Sequence, residues 1–352
     1  MEPPVFALER WFDKYEHSTE LHLGEGHLRG LSASRFDLNA KSLDYVVPTD
    51  GDPKLRAEVG ERYGKQKEQV LFTCGAQEAN LLASLTVLEE EDHAVTVLPT
   101  YKALSNVPDA FAQTTKVKLE LPEWELPIEE IKQSIKPSTS LIVIDNPNNP
   151  TGKYHSLNKI KELYDIAESN DIFLLCDEGN RKLISDTYPP VASFGDYGIS
   201  TSSVTKPYGL PGIRFGWVIA NENVINTASK WKKHTTISLP MIGQYIAKQA
   251  LGEQEERILS MNRELVNKNH NIISGFVDKY GLEWYDSDTA TGFVTVPQGF
   301  DDSRDFCEAA VQKQDVLLVP GDVFGFDNRF RIGFGISTET VTEGISRIES
   351  II

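Results

Sequence analysis

From about Val70 to Val218 the chain repeats one pattern, a short apolar run without polar alternation followed by a longer stretch of helical spacing. Residues 70–73, 94–98, 141–145, 172–176, 199–204 and 215–219 read as strands. A strand wetted on one face alternates apolar and polar residues, so runs lacking that alternation belong in a sheet covered on both faces. The stretches 76–89 and 157–169 have the helical period and supply cover. The pattern predicts an α/β fold with a mostly parallel central sheet.

The two ends of the chain read differently. Val5, Leu8, Phe12 and Tyr15 fall on one face of a short amphipathic helix over 5–15, which must dock on something. After a helical segment at 221–234, a long one at 253–280 carries periodic Ile258, Leu265, Ile272 and Phe276 and suits a connector between domains. Strand candidates at 292–296, 316–319 and 330–334, with helices at 303–313 and 338–351, make an α+β lobe. A chain of 352 residues with 40% hydrophobic content can hold two cores. The expected division is 1–44 as an N-terminal arm and part of a small domain, 45–250 as a large domain and 251–352 as the C-terminal small domain.

Ligands of such sheets collect beyond the carboxyl ends of the strands, and the residues with useful chemistry stand there. Gly75 follows a strand and opens a helix, Asn149 and Asp177 follow strands, and so does Ser203-Val-Thr-Lys206-Pro-Tyr-Gly209-Leu-Pro-Gly212-Ile-Arg214-Phe-Gly216. A lysine condenses with an aldehyde only as a free amine, which a nearby cation or a dry pocket favours, and Arg214 is the candidate cation. A guanidinium also grips a phosphate through paired hydrogen bonds. Gly75, Ala76 and Gln77 at a helix N-terminus offer unpaired N–H groups to an anion, although a helix entry needs no ligand. Together these suit a covalently held, phosphorylated aldehyde.

The blocks resemble, in order, those of the class I/II aminotransferases, pyridoxal-phosphate enzymes of fold type I. The resemblance rests on Cys74-Gly75-Ala76-Gln77-Glu78, Pro99-Thr100-Tyr101, Asn146-Pro-Asn-Asn149-Pro150-Thr151-Gly152, Cys176-Asp177-Glu178, the lysine block and Arg331-Ile-Gly. It implies a large pyridoxal-phosphate domain with a smaller α+β domain, and pyridoxal 5'-phosphate held as a Schiff base on Lys206. Ser203 and Arg214 would complete the phosphate cup begun by Gly75, Ala76 and Gln77. Asp177 would face the pyridine nitrogen, Tyr101 would stack on the ring, and Asn149 would serve the ring oxygen and border the substrate. Arg331 would bind the substrate α-carboxylate, with Arg329 two residues away as its rival. Tyr45 would reach the phosphate of the neighbouring subunit's cofactor, which implies a homodimer with shared active sites. Read without the resemblance, Asp177 could cap a loop, Asn149 could belong to a rigid turn, and Tyr101 could be a core tyrosine.

Two departures from the family pattern stand out. Asn180 occupies the place of a tyrosine that donates to the ring oxygen, which an amide can still do. Leu23-Gly24-Glu25-Gly26-His27-Leu28-Arg29-Gly30 replaces a loop that ends in proline near the substrate. Its Gly-x-Gly-x-x-x-Gly spacing, with no βαβ unit around it, is not a dinucleotide loop. Gly26 and His27 would border the substrate, His27 either as an acid or base or as a structural residue. This segment resembles one in pyridoxal-phosphate arginine oxidases. The tail Val319-Pro-Gly321-Asp-Val-Phe324-Gly325 resembles that of capreomycidine synthases, which act on an arginine derivative. The expected activity is amino-group transfer from an L-amino acid to a 2-oxo acid. The alternative is a cyclase, eliminase or oxidase of the same fold acting on arginine or a derivative, with Glu25 or another carboxylate facing the basic side chain.

Composition narrows the partners. With 35 basic against 52 acidic residues the net charge is −17, which opposes nucleic-acid binding, since that needs a basic face to displace counterions. Cys74, Cys176 and Cys307 are too few and scattered for a disulfide framework, and the histidines, His22 and His27 included, lack metal-ligand spacing. No apolar run is long enough to span a membrane and no secretory leader is visible. A cytoplasmic protein is expected.

Overall fold

The computed structural model describes residues 4–38, 44–184, 188–287 and 289–352. The first helix, Ala7–Tyr15, buries Leu8, Trp11, Phe12 and Tyr15, and the Trp11 indole donates to the Leu318 carbonyl at 2.7 Å. Val5 precedes it and is 54% exposed, so Trp11 takes the place expected for Val5. Strand β1 (Leu21–His22) follows.

Seven strands form the central sheet: β2 (Val70–Thr73), β3 (His93–Leu98), β4 (Gln113–Lys118), β5 (Thr139–Asp145), β6 (Phe173–Asp177), β7 (Gly198–Ser203) and β8 (Gly216–Ile219). Their order is β2-β8-β7-β6-β5-β3-β4. Only β8 runs antiparallel to its neighbours. A parallel partner needs a long crossover, whereas β7 returns to β8 through the loop that carries Lys206 and Arg214, which forces the reversal. Along β5, Leu141 and Val143 pack on one face while Ile142 and Ile144 pack on the other, so both faces are apolar, as the unalternating runs required. Strand β4 escaped the pattern because it lies at the sheet edge, reads Gln-Thr-Thr-Lys-Val-Lys, and buries only Val117; edge lysines of this kind discourage pairing with other chains.

Beyond the sheet, the Glu255–Tyr280 helix ends at Gly281, whose left-handed backbone (φ 59°) closes it. Its buried stripe is Ile258, Asn262, Val266, Asn269, Ile273 and Phe276, one residue out of phase with the expected Leu265 and Ile272. The stripe includes two asparagines, which hydropathy discounts. Asn262 donates to the Pro207 carbonyl at 2.8 Å, and Asn269 to those of Phe334 and Ile336 at 2.9 and 2.8 Å. The helix thus ties the lysine loop to the C-terminal segment. There, β9 (Thr291–Thr295), β11 (Val319–Pro320) and β12 (Arg329–Gly333) form an antiparallel sheet. Strand β10 (Val316–Leu317) instead pairs in parallel with β1, so the run expected as one strand over 316–319 serves two partners.

Candidate active site

The carboxyl ends of β2, β5, β6 and β7 meet the N-terminal helix, the 23–28 loop and β12 around one cleft. At one end lies a cradle. The Gly75–Val87 helix starts there with no side-chain cap, leaving first-turn N–H groups for a ligand. Gly75 has φ +76°, and a Cβ on it would stand 2.7 Å from Arg214 Nη2; a Cβ on Gly216 would stand 2.5 Å from the Gly75 carbonyl carbon. These two glycines let helix, strand and guanidinium converge. Arg214, itself left-handed at φ 51°, donates to the Pro211 carbonyl at 3.2 Å and joins Ser203, Thr205, Ala76 and Gln77 on the cleft wall. Hydroxyls, helical N–H groups and a guanidinium are a phosphate-binding donor set, and space that a Cβ would fill is kept open for it. The residues fit the phosphate of pyridoxal 5'-phosphate.

Next to the cradle Asp177 is held from both sides. Asn80 donates to its Oδ2 at 2.8 Å and the Gly179 N–H to its Oδ1 at 2.8 Å, while Thr201 donates to Asn80 at 2.5 Å. The half-buried Lys206 faces the same space, and its amine makes no hydrogen bond among the described residues. Burial lowers its pKa, against the fields of Asp177 and Asp145, and Arg331 lowers it further. The cation acting on it is therefore Arg331 and not the expected Arg214. Gly179 closes this wall: a Cβ there would lie 3.0 Å from Asp177 Oδ1 and 3.9 Å from Lys206 Nζ. Asn180 is 3% exposed and stands where the chain turns from Gly179 into the Arg181–Ile184 helix.

At the other end Arg331, 2% exposed, donates from Nη1 to Asn149 Oδ1 at 3.2 Å and from Nη2 to the Gly24 carbonyl at 2.6 Å. Its Nε is a buried donor without a partner. Burial pushes its pKa down to about 10, offset in part by Glu25, Tyr101 and Glu9, so it remains charged at neutral pH. Arg329, the rival, donates to the Glu283 and Phe293 carbonyls and lies over the Trp124 ring, outside the cleft. Tyr101 lines the cleft beside Phe6, and burial, followed by Glu9, raises its phenol pKa. Gly26 lies against Arg331, and His27 is held through Nδ1 to the Leu28 carbonyl at 2.8 Å with Nε2 3.4 Å from Glu25. Tyr45 is 74% exposed and outside this chain's cleft.

Sequence reasoning missed six contributors. Leu8, Glu9 and Phe12 reach the cleft from the N-terminal helix, a long-range packing without a local signal. Asp145 was legible as the residue before the Asn-Pro turn: it pairs in register with Asp177 across β5 and β6 and accepts from Asn149 N and Asn148 Nδ2 at 2.8 and 2.7 Å. Burial pushes its pKa up to about 7. Asn80 and Gly179 complete the set. Glu16, His22 and Glu25 also bring ligand atoms within 4.8 Å of one another, a grouping that forms only when 20–25 folds back on the first helix.

Comparison with known proteins agrees with this geometry. Residues 31–348 match the family described as aminotransferase class I and II. Capreomycidine synthase of Streptomyces vinaceus is 27% identical over 92% of this chain and 85% of its own length. A probable aspartate aminotransferase of Methanocaldococcus jannaschii is 26% identical over 87% and 85%. A crystal structure of a PLP-dependent aminotransferase from Streptococcus suis superposes with a TM-score of 0.93 at 30% identity, covering 99% of this chain and 98% of that one.

Proposed function

The chain belongs to the class I and II aminotransferases, is a pyridoxal-phosphate-dependent aminotransferase of fold type I, and on that footing we propose how its residues divide the work. The observation that carries the proposal is the unpartnered Lys206 amine, set between the anchored Asp177 carboxylate and the buried Arg331 in one cleft. Arg214, Ser203 and the first-turn N–H groups of Ala76 and Gln77 bind phosphate, with Gly75 giving them room. When bound, the cofactor supplies an electron sink for the pair released at the substrate's α-carbon. Asp177 holds a proton on the ring nitrogen and is itself aimed by Asn80. Tyr101 covers one ring face, and Asn149 is shared between the ring oxygen and Arg331. Arg331 takes the α-carboxylate and so orients the α-hydrogen towards Lys206, which as a free amine moves that proton. Gly26 and His27 border the substrate.

The proposal extends to a homodimer. Tyr45 and Val47 are exposed at 74% and 80%, and an apolar groove beside the phosphate cradle, lined by Phe6, Leu81, Val107 and Phe111, runs to Arg214. Both features support a second copy whose Tyr45 completes the cup. The division at 44/45 and 250/251 and a cytoplasmic setting, consistent with three free thiols, complete the reading. A second reading, a cyclase, eliminase or oxidase, is favoured by Gly179 and Asn180, which leave no phenol at the ring oxygen. Incubating the loaded protein with single amino acids separates the two. Full conversion to the aminated cofactor, reversed by a 2-oxo acid, is expected. Ammonia release or oxygen uptake without the aminated form would replace transamination by the second reading.

A further inference from the structure

Strand β5 ends on Asp145 and strand β6 on Asp177, and the two residues are in register. Side chains in register on neighbouring strands leave the sheet on the same face, so two carboxylates stand side by side at the strand ends. Asp145 is 5% exposed and has no paired cation among the described residues. Its Oδ2 accepts from Asn149 N at 2.8 Å and its Oδ1 from Asn148 Nδ2 at 2.7 Å. The same Asn148 amide donates to the Pro99 carbonyl at 2.8 Å. One carboxylate thus braces the turn that presents Asn149 and, through Asn148, the turn that leads to Tyr101. Bracing calls for acceptor oxygens and not for charge, and an unpaired charge in a dry site costs free energy. The charge has a second use. The titratable groups that face Asp145 are Asp177 and Cys176 from β6 and Lys206 from the loop after β7. Burial pushes the Cys176 thiol well up, so it stays neutral. Burial lowers the pKa of Lys206, and the fields of Asp177 and then Asp145 oppose it. Once Asp177 is matched by the proton on the ring nitrogen, Asp145 is the unmatched negative charge facing the lysine nitrogen.

We infer that Asp145 is a positioning residue for the reaction: its carboxylate, set beside Asp177 without a cation of its own, holds the proton on the Lys206 nitrogen, while its two hydrogen bonds fix the turns that present Asn149 and Tyr101. The inference takes the roles of Lys206 and Asp177 from the proposed function. Its sign with pH follows from the charge. Asp145 ionises as pH rises through about 7, and the negative field that then appears favours the charged lysine nitrogen, so the lysine proton is lost at a higher pH than it would be beside a neutral residue.

The test is a pH titration of the full chain read in two ways. With cofactor, the absorbance of the lysine-bound form is followed; without it, labelling of Lys206 by an amine-reactive reagent is quantified by peptide mass spectrometry. In Asp145→Asn both midpoints are expected to fall by about one unit, the lower end of what a close opposite charge does. Asp145→Ser also removes the charge but sets no amide against Asn148, and the same fall is expected there should the asparagine variant not fold. A residue that only braces the turns would, when replaced, lower cofactor affinity or thermal stability and leave both midpoints in place; that result would overturn the inference. The two proposals fail separately. If the wild-type protein gives no lysine-bound absorbance while the labelling midpoint still falls in the variants, the cofactor's attachment to Lys206 is wrong and the role of Asp145 stands. If the absorbance forms and neither midpoint moves, the attachment stands and the role of Asp145 is wrong.

Discussion

Lys206→Ala removes the one side-chain amine that faces the cleft among the described residues, and the absorbance of the lysine-bound cofactor should vanish while far-ultraviolet circular dichroism stays unchanged. Turnover should fall by at least about 10²–10⁴-fold, the usual worth of a positioned acid or base; an unchanged absorbance would remove Lys206 from its role. Arg331→Lys keeps the charge but loses the fork that now reaches Asn149, Gly24 and the cleft together. We expect KM for α-amino acids to rise about tenfold or more while amines without a carboxylate are unaffected. Equal loss for both would make Arg331 structural. Asp145 yields a prediction on stability. Its pKa of about 7 lies above the unfolded value of 3.8, so the folded state holds the extra proton, and stability is full below about pH 4 and lost as pH rises through 7. At about 1.4 kcal/mol per unit the loss is on the order of a few kcal/mol. Asp145→Asn should flatten denaturation midpoints between pH 5 and 8, despite a lower midpoint at pH 5 from setting an amide against Asn148. A midpoint that still falls over this range would exclude Asp145 as its source.

Two glycines probe two junctions between elements. At Gly216, strand β8 meets the start of the Gly75–Val87 helix, and a Cβ would stand 2.7 Å from Ala76 N. At Gly333, strand β12 meets the Glu25 loop. Each alanine variant should cost about 1–3 kcal/mol by overpacking, yet with opposite functional signs. Gly216→Ala should weaken cofactor affinity, measured by equilibrium dialysis, and leave substrate discrimination intact. Gly333→Ala should weaken substrate binding and leave cofactor affinity intact. The same effect from both would mean that the cleft is not divided into a phosphate end and a carboxylate end. Element types were largely legible in the sequence: all six unalternating runs are strands, and the long helix starts and ends within two residues of expectation. What failed was polar. Strand β4 lies at an edge, and Asn262 and Asn269 are buried because they serve loop carbonyls, which no hydropathy period records.

For the whole molecule, the exposed Tyr45 segment and the apolar groove beside Arg214 predict that activity per protomer depends on assembly. On dilution, specific activity and dimer fraction by light scattering should fall together; full activity in a monomer would separate Tyr45 from the site. The local chemistry of this protein was determined by sequence alone. A lysine, an aspartate and an anion-binding turn each follow a strand, and an α/β sheet brings strand ends to one edge whatever the loops do. Residues whose role depends on chain segments far apart were left to the tertiary structure. Folding lays the N-terminal helix over the cleft and so adds Glu9, it turns Arg331 inward and Arg329 outward, and it sets Gly179 between Asp177 and Lys206. Backbone pairing and apolar periodicity are local properties that a sequence records, whereas the field in a cleft sums charges from every segment that reaches it.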